Sequence, residues 1–329
     1  MKRYIMLFSF LLAFVLPNLL FTIGFKTSDY NQILVDDVSN IVETKIDLGH
    51  TISVLDHGVI KQMDLDEYVL CVLLGEMPAD FEMEALMAQA IAIRTYTLQK
   101  ISHQSKHSEA LVCTDASCCQ AYTRVEDFLI KVKHPELLEK MRLAVQETYD
   151  MVLTYDGELI EATYFSCAGG KTEAASDVWG KEVPYLQSVL SPGEEGTRHY
   201  ESICRFKTVD FLKALGIDPL HPLSENDIKM TYTIGNGVNE LYIGDEFYTG
   251  NEIRTMLKLP STFFRMSIED DEIVFSVRGY GHRVGMSQYG AEAMAVSGQN
   301  FEEILLHYFP GTKLEQFTNE QMNAVFDKA

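Results

Sequence analysis

Tyr68-Val69-Leu70-Cys71-Val72-Leu73-Leu74-Gly75-Glu76-Met77-Pro78-Ala79-Asp80-Phe81 leads into Glu84-Ala85-Leu86-Met87-Ala88-Gln89-Ala90-Ile91-Ala92-Ile93-Arg94-Thr95-Tyr96-Thr97-Leu98-Gln99-Lys100. The second segment has no Gly or Pro, and Ala, Leu, Met, Gln and Glu are strong helix formers, so residues 84–100 form the chain's most secure helix. Leu86, Ala90, Ile93 and Thr97 keep the spacing of a buried helical face. Residues 64–74 read as a preceding helix with Asp64 as its N-cap. Glu76 is the odd residue, closing an apolar run between Gly75 and the Met77-Pro78 turn. A carboxylate so placed has either a partner or a raised pKa, because apolar surroundings disfavour its charged form. A raised pKa is what a general acid needs near neutral pH. The plain alternative is that Glu76 pairs with Arg94 or caps the next helix.

Working outward, residues 52–55 and 59–60 flank Asp56-His57-Gly58 as a short hairpin. After the central helix, His107, Cys113, Cys118 and Cys119 offer one imidazole and three thiols in thirteen residues, with His103 as a spare. Four such ligands suit tetrahedral zinc. A disulfide from Cys113 to one neighbour is the alternative, and Cys167 with Cys204 is a second conceivable pair. Residues 126–148 are helical with a break at His134-Pro135. Residues 151–155 and 158–165 flank Asp156-Gly157, a strong hairpin signal. An α+β insert follows over about 205–277, with helices from Thr208 and Thr249 and a hairpin around the acidic residues 269–271. Glu252 completes a capping box with Thr249. Residues 301–308 form a final helix stopped by Pro310-Gly311, and 321–329 a tail.

The 329 residues allow one large or two ordinary domains. The formal charge of −21 argues against nucleic acid as a partner, though not against an uncharged glycan. Lys2 and Arg3 precede an almost unbroken apolar run to Phe25. About 20 apolar residues cross a bilayer, so residues 1–25 are expected to be a transmembrane anchor. Leading positive charge puts the N-terminus in the cytoplasm and the rest outside. A cleaved signal peptide is the rival, opposed by the run's length and the lack of an Ala-x-Ala-like site. Polar residues 26–46 read as a tether. The expected fold class is therefore α+β: a central long helix with antiparallel hairpins and a smaller insert, preceded by one transmembrane helix.

Two further motifs share the chain. One is Ser166-Cys167-Ala168-Gly169-Gly170-Lys171-Thr172-Glu173 with Trp179-Gly180 and Tyr185 beyond it; the other is Gly281-His282-Arg283-Val284-Gly285-Met286-Ser287-Gln288-Tyr289-Gly290-Ala291. With the stretch from Tyr68 to Tyr96, they make residues of about 45–320 resemble the stage II sporulation protein D family, membrane-anchored peptidoglycan lytic transglycosylases of endospore formers. The resemblance implies a catalytic domain over 47–320 with Glu76 as acid/base. It implies a substrate groove drawing on Arg94, Ser166, Gly169, Gly170, Lys171, Trp179, Tyr185, His282, Ser287, Gln288 and Tyr289. It also implies a closed structural zinc on His107, Cys113, Cys118 and Cys119. The departure is Arg283, where the family usually has Gly.

The implied substrate is a peptide-free peptidoglycan glycan strand, cleaved to 1,6-anhydro-N-acetylmuramic ends during engulfment. Implied partners are a cell-wall amidase and other engulfment proteins, and the implied location is the mother-cell membrane facing the forespore. One carboxylate suffices for that reaction, whereas most glycoside hydrolases need two. Two rivals remain. A non-catalytic wall-binding module could stimulate an amidase. A metallohydrolase on the Cys/His cluster is disfavoured by the thiolate-rich ligand set and the lack of HExxH.

Overall fold

The computed structural model describes residues 49–103, 106–220 and 222–327. In chain order the elements are β1 (Thr51–Asp56), β2 (Val59–Asp64), α1 (Leu65–Glu76), α2 (Met83–Ser102), β3 (Val112–Cys113), α3 (Val125–Val132), α4 (Pro135–Glu147), β4 (Met151–Tyr155), β5 (Glu158–Leu159), β6 (Tyr164–Phe165), α5 (Ala175–Trp179) and β7 (Glu201–Lys207). There follow α6 (Thr208–Ala214), β8 (Ile228–Tyr232), β9 (Val238–Ile243), β10 (Glu246–Thr249), α7 (Gly250–Leu257), β11 (Phe264–Glu269), β12 (Glu272–Arg278), β13 (Met286–Ser287), α8 (Gln288–Val296), α9 (Phe301–Tyr308), β14 (Lys313–Gln316) and α10 (Asn319–Phe326).

Local chemistry accounts for many of these boundaries. Asp64 Oδ1 accepts the amides of Asp66 and Glu67 at 2.8 and 3.3 Å, capping α1. The β4–β5 turn holds Asp156 and Gly157 at φ 52° and 82°, the left-handed geometry that Asp-Gly favours. Thr249 and Glu252 form the capping box of α7. The His134-Pro135 break separates α3 from α4. The expected strand over 158–165 is instead two short pieces, β5 and β6, and β6 pairs in parallel with β13.

Two hydrophobic cores result. In the first, α2 is buried on nearly all sides against α1, α4, β4, α8, α9 and α10. Arg94 lies inside it, fully buried, with Nε and Nη2 on Asp66 Oδ1 at 2.9 and 2.5 Å and further donors on the Thr148, Met151 and Val145 carbonyls. Such a charge is tolerable inside only because its donors are satisfied. Met322 of α10 closes this core, although it falls in the stretch read as a tail. The second core gathers Phe211, Leu241, Ile253, Phe264 and Phe275 between the sheets β10-β9-β8 and β11-β12-β7.

A buried ion pair ties the insert to the motif loops. Arg283 Nη1 lies 3.0 Å from Glu173 Oε1, both side chains being wholly buried. Arg283 Nη2 also donates to the carbonyls of Lys171 and Gly235 at 2.7 and 2.6 Å. Glu173 Oε1 accepts from Thr233 Oγ1 and Gly237 N, both at 2.9 Å. A Cβ at Gly235 or Gly237 would strike the Glu173 carboxylate, so the insert's turn needs glycine to approach so closely.

The membrane expectation is corrected. The proposed anchor over 1–25 and tether over 26–46 lie outside the described residues, and among the described residues no helix is long and apolar enough to cross a membrane. The fold is mixed α+β without such a helix there, and the single-pass location and membrane attachment inferred from it lose their support.

Candidate active site and metal centre

Glu76 is the last residue of α1, and the Met77-Pro78 turn carries the chain away. Its Oε1 accepts the Ala121 amide at 2.9 Å, and its Oε2 faces Gln288 Nε2 at 3.4 Å. Burial pushes the carboxyl above its ordinary range, and these two donors pull back against that. Neither plain alternative holds, because Arg94 belongs to Asp66 and no side-chain cap is made at the start of α2. The pocket around Glu76 is lined by Tyr96, Ala116, Cys119, Gln120, Thr163, Tyr164 and His282. Tyr164 donates to Gln120 Oε1 at 2.8 Å, and Gln120 Nε2 donates to Thr97 Oγ1 at 3.0 Å, fixing that wall. Glu76 is the one carboxylate lining it among the described residues.

His282 is held in its neutral form near pH 7. Burial and the Arg254 charge bring its pKa down to about 4, opposed by a hydrogen bond to the Tyr164 backbone. Its Nδ1 accepts the Val284 amide at 3.2 Å. A neutral ring remains, packed edgewise on Phe165 and tilted against Trp179, with centroids 5.6 and 5.5 Å away. Trp179 is 44% exposed, presenting an open aromatic face beside the pocket.

Beyond the Cys119–Gln120 wall lies the thiol cluster. One donor atom from each of His107, Cys113, Cys118 and Cys119 falls within 4.8 Å of the others. His107 Nε2 is 3.7 Å from both Cys118 Sγ and Cys119 Sγ. Zinc bonds of about 2.0 to 2.3 Å arranged tetrahedrally put neighbouring donors roughly 3.5 Å apart, so the donor set fits such an ion. All six cysteines are free thiols, including Cys167 and Cys204.

Comparison with known proteins places the chain in a family. A family model described as "Stage II sporulation protein" matches residues 56–155. Stage II sporulation protein D of Bacillus subtilis (strain 168) is 33% identical over 270 residues, covering 80% of this chain and 78% of that protein. The chain belongs to the stage II sporulation protein D family. The Bacillus amyloliquefaciens stage II sporulation protein D is 32% identical over 261 residues, covering 78% of this chain and 76% of its own. A protein named "Amidase enhancer" in Bacillus subtilis (strain 168) is 27% identical over 299 residues, covering 75% of this chain but 40% of that protein.

The sporulation-family motifs divide into those at the pocket and those that build it. Glu76, Gln288 and His282 come together, with Trp179 alongside. Tyr289 follows Gln288 and rests its ring on Phe81 and His199 at 5.2 and 5.7 Å. Arg94 does not reach the pocket. Ser287 is buried, caps α8 through the Gly290 amide at 3.2 Å and donates to Glu194. Glu194 also takes the Ala168 and Gly170 amides, both at 2.9 Å, so it joins the second motif to the third. Ser166 contributes its carbonyl to the Tyr289 amide at 3.0 Å, and Gly169 packs its backbone on Gly279. Lys171 Nζ donates to Ile234 O at 2.8 Å, and the Tyr185 hydroxyl accepts the Glu161 amide at 3.1 Å.

Sequence reasoning missed Glu194, Tyr164, Gln120 and the Ala121 amide. Glu194 sits in a polar Pro-Gly-Glu-Glu-Gly loop, where nothing distinguishes a buried acid from an exposed one. Tyr164 precedes the second motif by two residues, and only its strand-like setting hinted at a role.

Proposed function

We propose that the chain is a peptidoglycan lytic transglycosylase of sporulation, acting on peptide-free glycan strands. The supporting observation is Glu76, one half-buried carboxylate with a raised pKa in a pocket that holds no second acid among the described residues. Protonated Glu76 gives its proton to the glycosidic oxygen as that bond breaks. The resulting carboxylate removes the proton from the muramic acid C6 hydroxyl, and the C6 oxygen closes onto C1. The product is a 1,6-anhydro ring, and no water is consumed. Two-acid hydrolysis is less well supported, because the nearby buried acids Glu173 and Glu194 are engaged in structural hydrogen bonds.

The metal we assign to His107, Cys113, Cys118 and Cys119 is zinc, which would supply cross-linking of the 107–119 loop. Four protein ligands leave it no open position, so it takes no part in bond cleavage. A second reading, a wall-binding module that stimulates a partner amidase, draws on the relative named "Amidase enhancer".

Mass spectrometry of the products separates the two. Incubated with peptide-free strands, the wild type is expected to yield 1,6-anhydro muramic ends, and Glu76→Gln none. Ends that have gained water would mean hydrolysis, and binding without cleavage by either protein would favour the amidase-stimulating module.

A further inference from the structure

The thiol cluster stands between two clefts, and His107 and Cys118 line both. One cleft, of about 230 Å³, runs along Tyr96, Lys106, Leu111 and Cys119. The other, of about 520 Å³, opens over Leu55, His57, Gly58, Cys113 and Asp115. Liquid water takes about 30 Å³ per molecule, so a solute of two or three heavy atoms fits either space beside Cys118. Cys118 is only half-buried, whereas Cys113 is 4% exposed.

The turn that brings Cys118 back to Cys113 is made of local hydrogen bonds. Cys113 is fixed on β3 opposite Leu55 of β1, and the Thr114 amide donates to the Leu55 carbonyl at 3.1 Å. The Asp115 carbonyl accepts the amides of Cys118 and Cys119 at 3.0 and 2.9 Å. Asp115 Oδ1 accepts the Ser117 amide and hydroxyl at 2.8 and 2.7 Å. The result is three sulfurs within 4.8 Å of one another. A change of χ1 rotamer closes the rest of the distance to a disulfide. Cys118 and Cys119 are poor partners for each other. Adjacent Cα atoms lie about 3.8 Å apart, short of the roughly 4.4 to 6.8 Å that a disulfide usually spans. Cys118, and not Cys119, shares the larger cleft with Cys113.

We propose that Cys118 is a site of reversible oxidation by peroxides, and that its disulfide with Cys113 empties the metal site. The metal clause rests on the zinc reading above. Cys118 Sγ attacks one peroxide oxygen and the O–O bond breaks. The departing hydroxide takes the thiol proton and leaves as water, and Cys118 is now a sulfenic acid. Cys113 Sγ attacks that sulfur, hydroxide departs, and the Cys113 proton makes it a second water. Two electrons have passed from the two sulfurs to one peroxide. Where the sulfurs start as thiolates, solvent supplies the two protons. His107 and Cys119 are then two ligands where a closed zinc site needs four. The loop loses its cross-link two residues before Ala121, whose amide holds Glu76 Oε1 at 2.9 Å. A thiol reductant reverses the disulfide by exchange.

The test uses the full-length wild-type protein, loaded with zinc and titrated with hydrogen peroxide. A metallochromic dye follows released metal, and peptide mapping by mass spectrometry follows the cysteines. A Cys113–Cys118 cross-link is expected to form in step with zinc release, and dithiothreitol with added zinc should reverse both. Cys118→Ala should slow release about tenfold or more, because oxidation follows thiol exposure. Cys204→Ser, in the second core, should leave it unchanged. Wild-type mapping decides the matter even if Cys118→Ala holds no metal. Cys118 driven to sulfinic acid beside a free Cys113 thiol would overturn the proposal. So would zinc release ahead of any cross-link, or a cross-link in protein that keeps its zinc. If the protein binds no zinc but the cross-link still forms, the zinc reading fails and the oxidation site stands.

Discussion

Glu76 carries a cost that its chemistry requires. Its folded-state pKa is raised by burial, so folding favours the protonated acid. The sign follows: below the unfolded carboxyl pKa of about 4.3 both states are protonated and nothing is lost, whereas stability falls as pH rises from there to the folded pKa. Glu76→Gln, a neutral isostere, is therefore expected to be more stable than wild type at pH 7 and equal to it near pH 3. Denaturant melts at the two pH values check this, and a variant less stable at pH 7 would contradict the desolvated carboxyl. Glu76 was legible in the sequence because an acid ending an apolar run is locally anomalous. Arg94 was not, because Asp66 and the carbonyls of 145–151 that enclose it come from elsewhere in the chain. A motif shows that a residue type matters at a position, and packing decides whether it faces substrate or core.

The loop carrying the thiol cluster also places the acid. Ala121, two residues past Cys119, supplies the amide that holds Glu76 Oε1. The fit is close: a Cβ on Gly75 would lie 2.9 Å from the Tyr122 nitrogen, so helix end and loop are seated backbone to backbone. On the zinc and transglycosylase readings proposed above, stripping the His107, Cys113, Cys118 and Cys119 cluster of metal should thus lower cleavage through the loop that positions Glu76. Chelation is expected to lower activity at least tenfold with little change in helical circular dichroism, and added zinc should restore it. Full activity in metal-free protein would uncouple loop from acid. Elements with local signals, such as the capped helices and the hairpins at His57-Gly58 and Asp156-Gly157, were readable in the sequence. Strands β7, β13 and β14 were not, since each acquires its identity from a partner far along the chain, and β10 was not although it pairs with its neighbour β9.

Across the molecule, two cores meet at the Arg283–Glu173 pair. Glu173 Oε2 already has no hydrogen-bond partner among the described residues. Arg283→Gly would restore the residue usual in the family yet strand a buried carboxylate, costing about 3 to 5 kcal/mol. Calorimetry should show one melting transition in wild type and a lower or split transition in the variant; unchanged melting would mean that the joint bears no load. The family architecture could be read in outline from three motifs, but the joint could not, because its substituted arginine acts through a side-chain reach that the motif's glycine never had. The encirclement of α2 has a temporal side as well. Its walls include α8, α9 and α10, made more than 180 residues later. At roughly 5 to 20 residues per second, the ribosome delivers those walls about ten seconds or more after the helix itself. Throughout that interval a helix that ends up buried on nearly all sides is without its final cover, so completion of its core waits on the last turns of the chain.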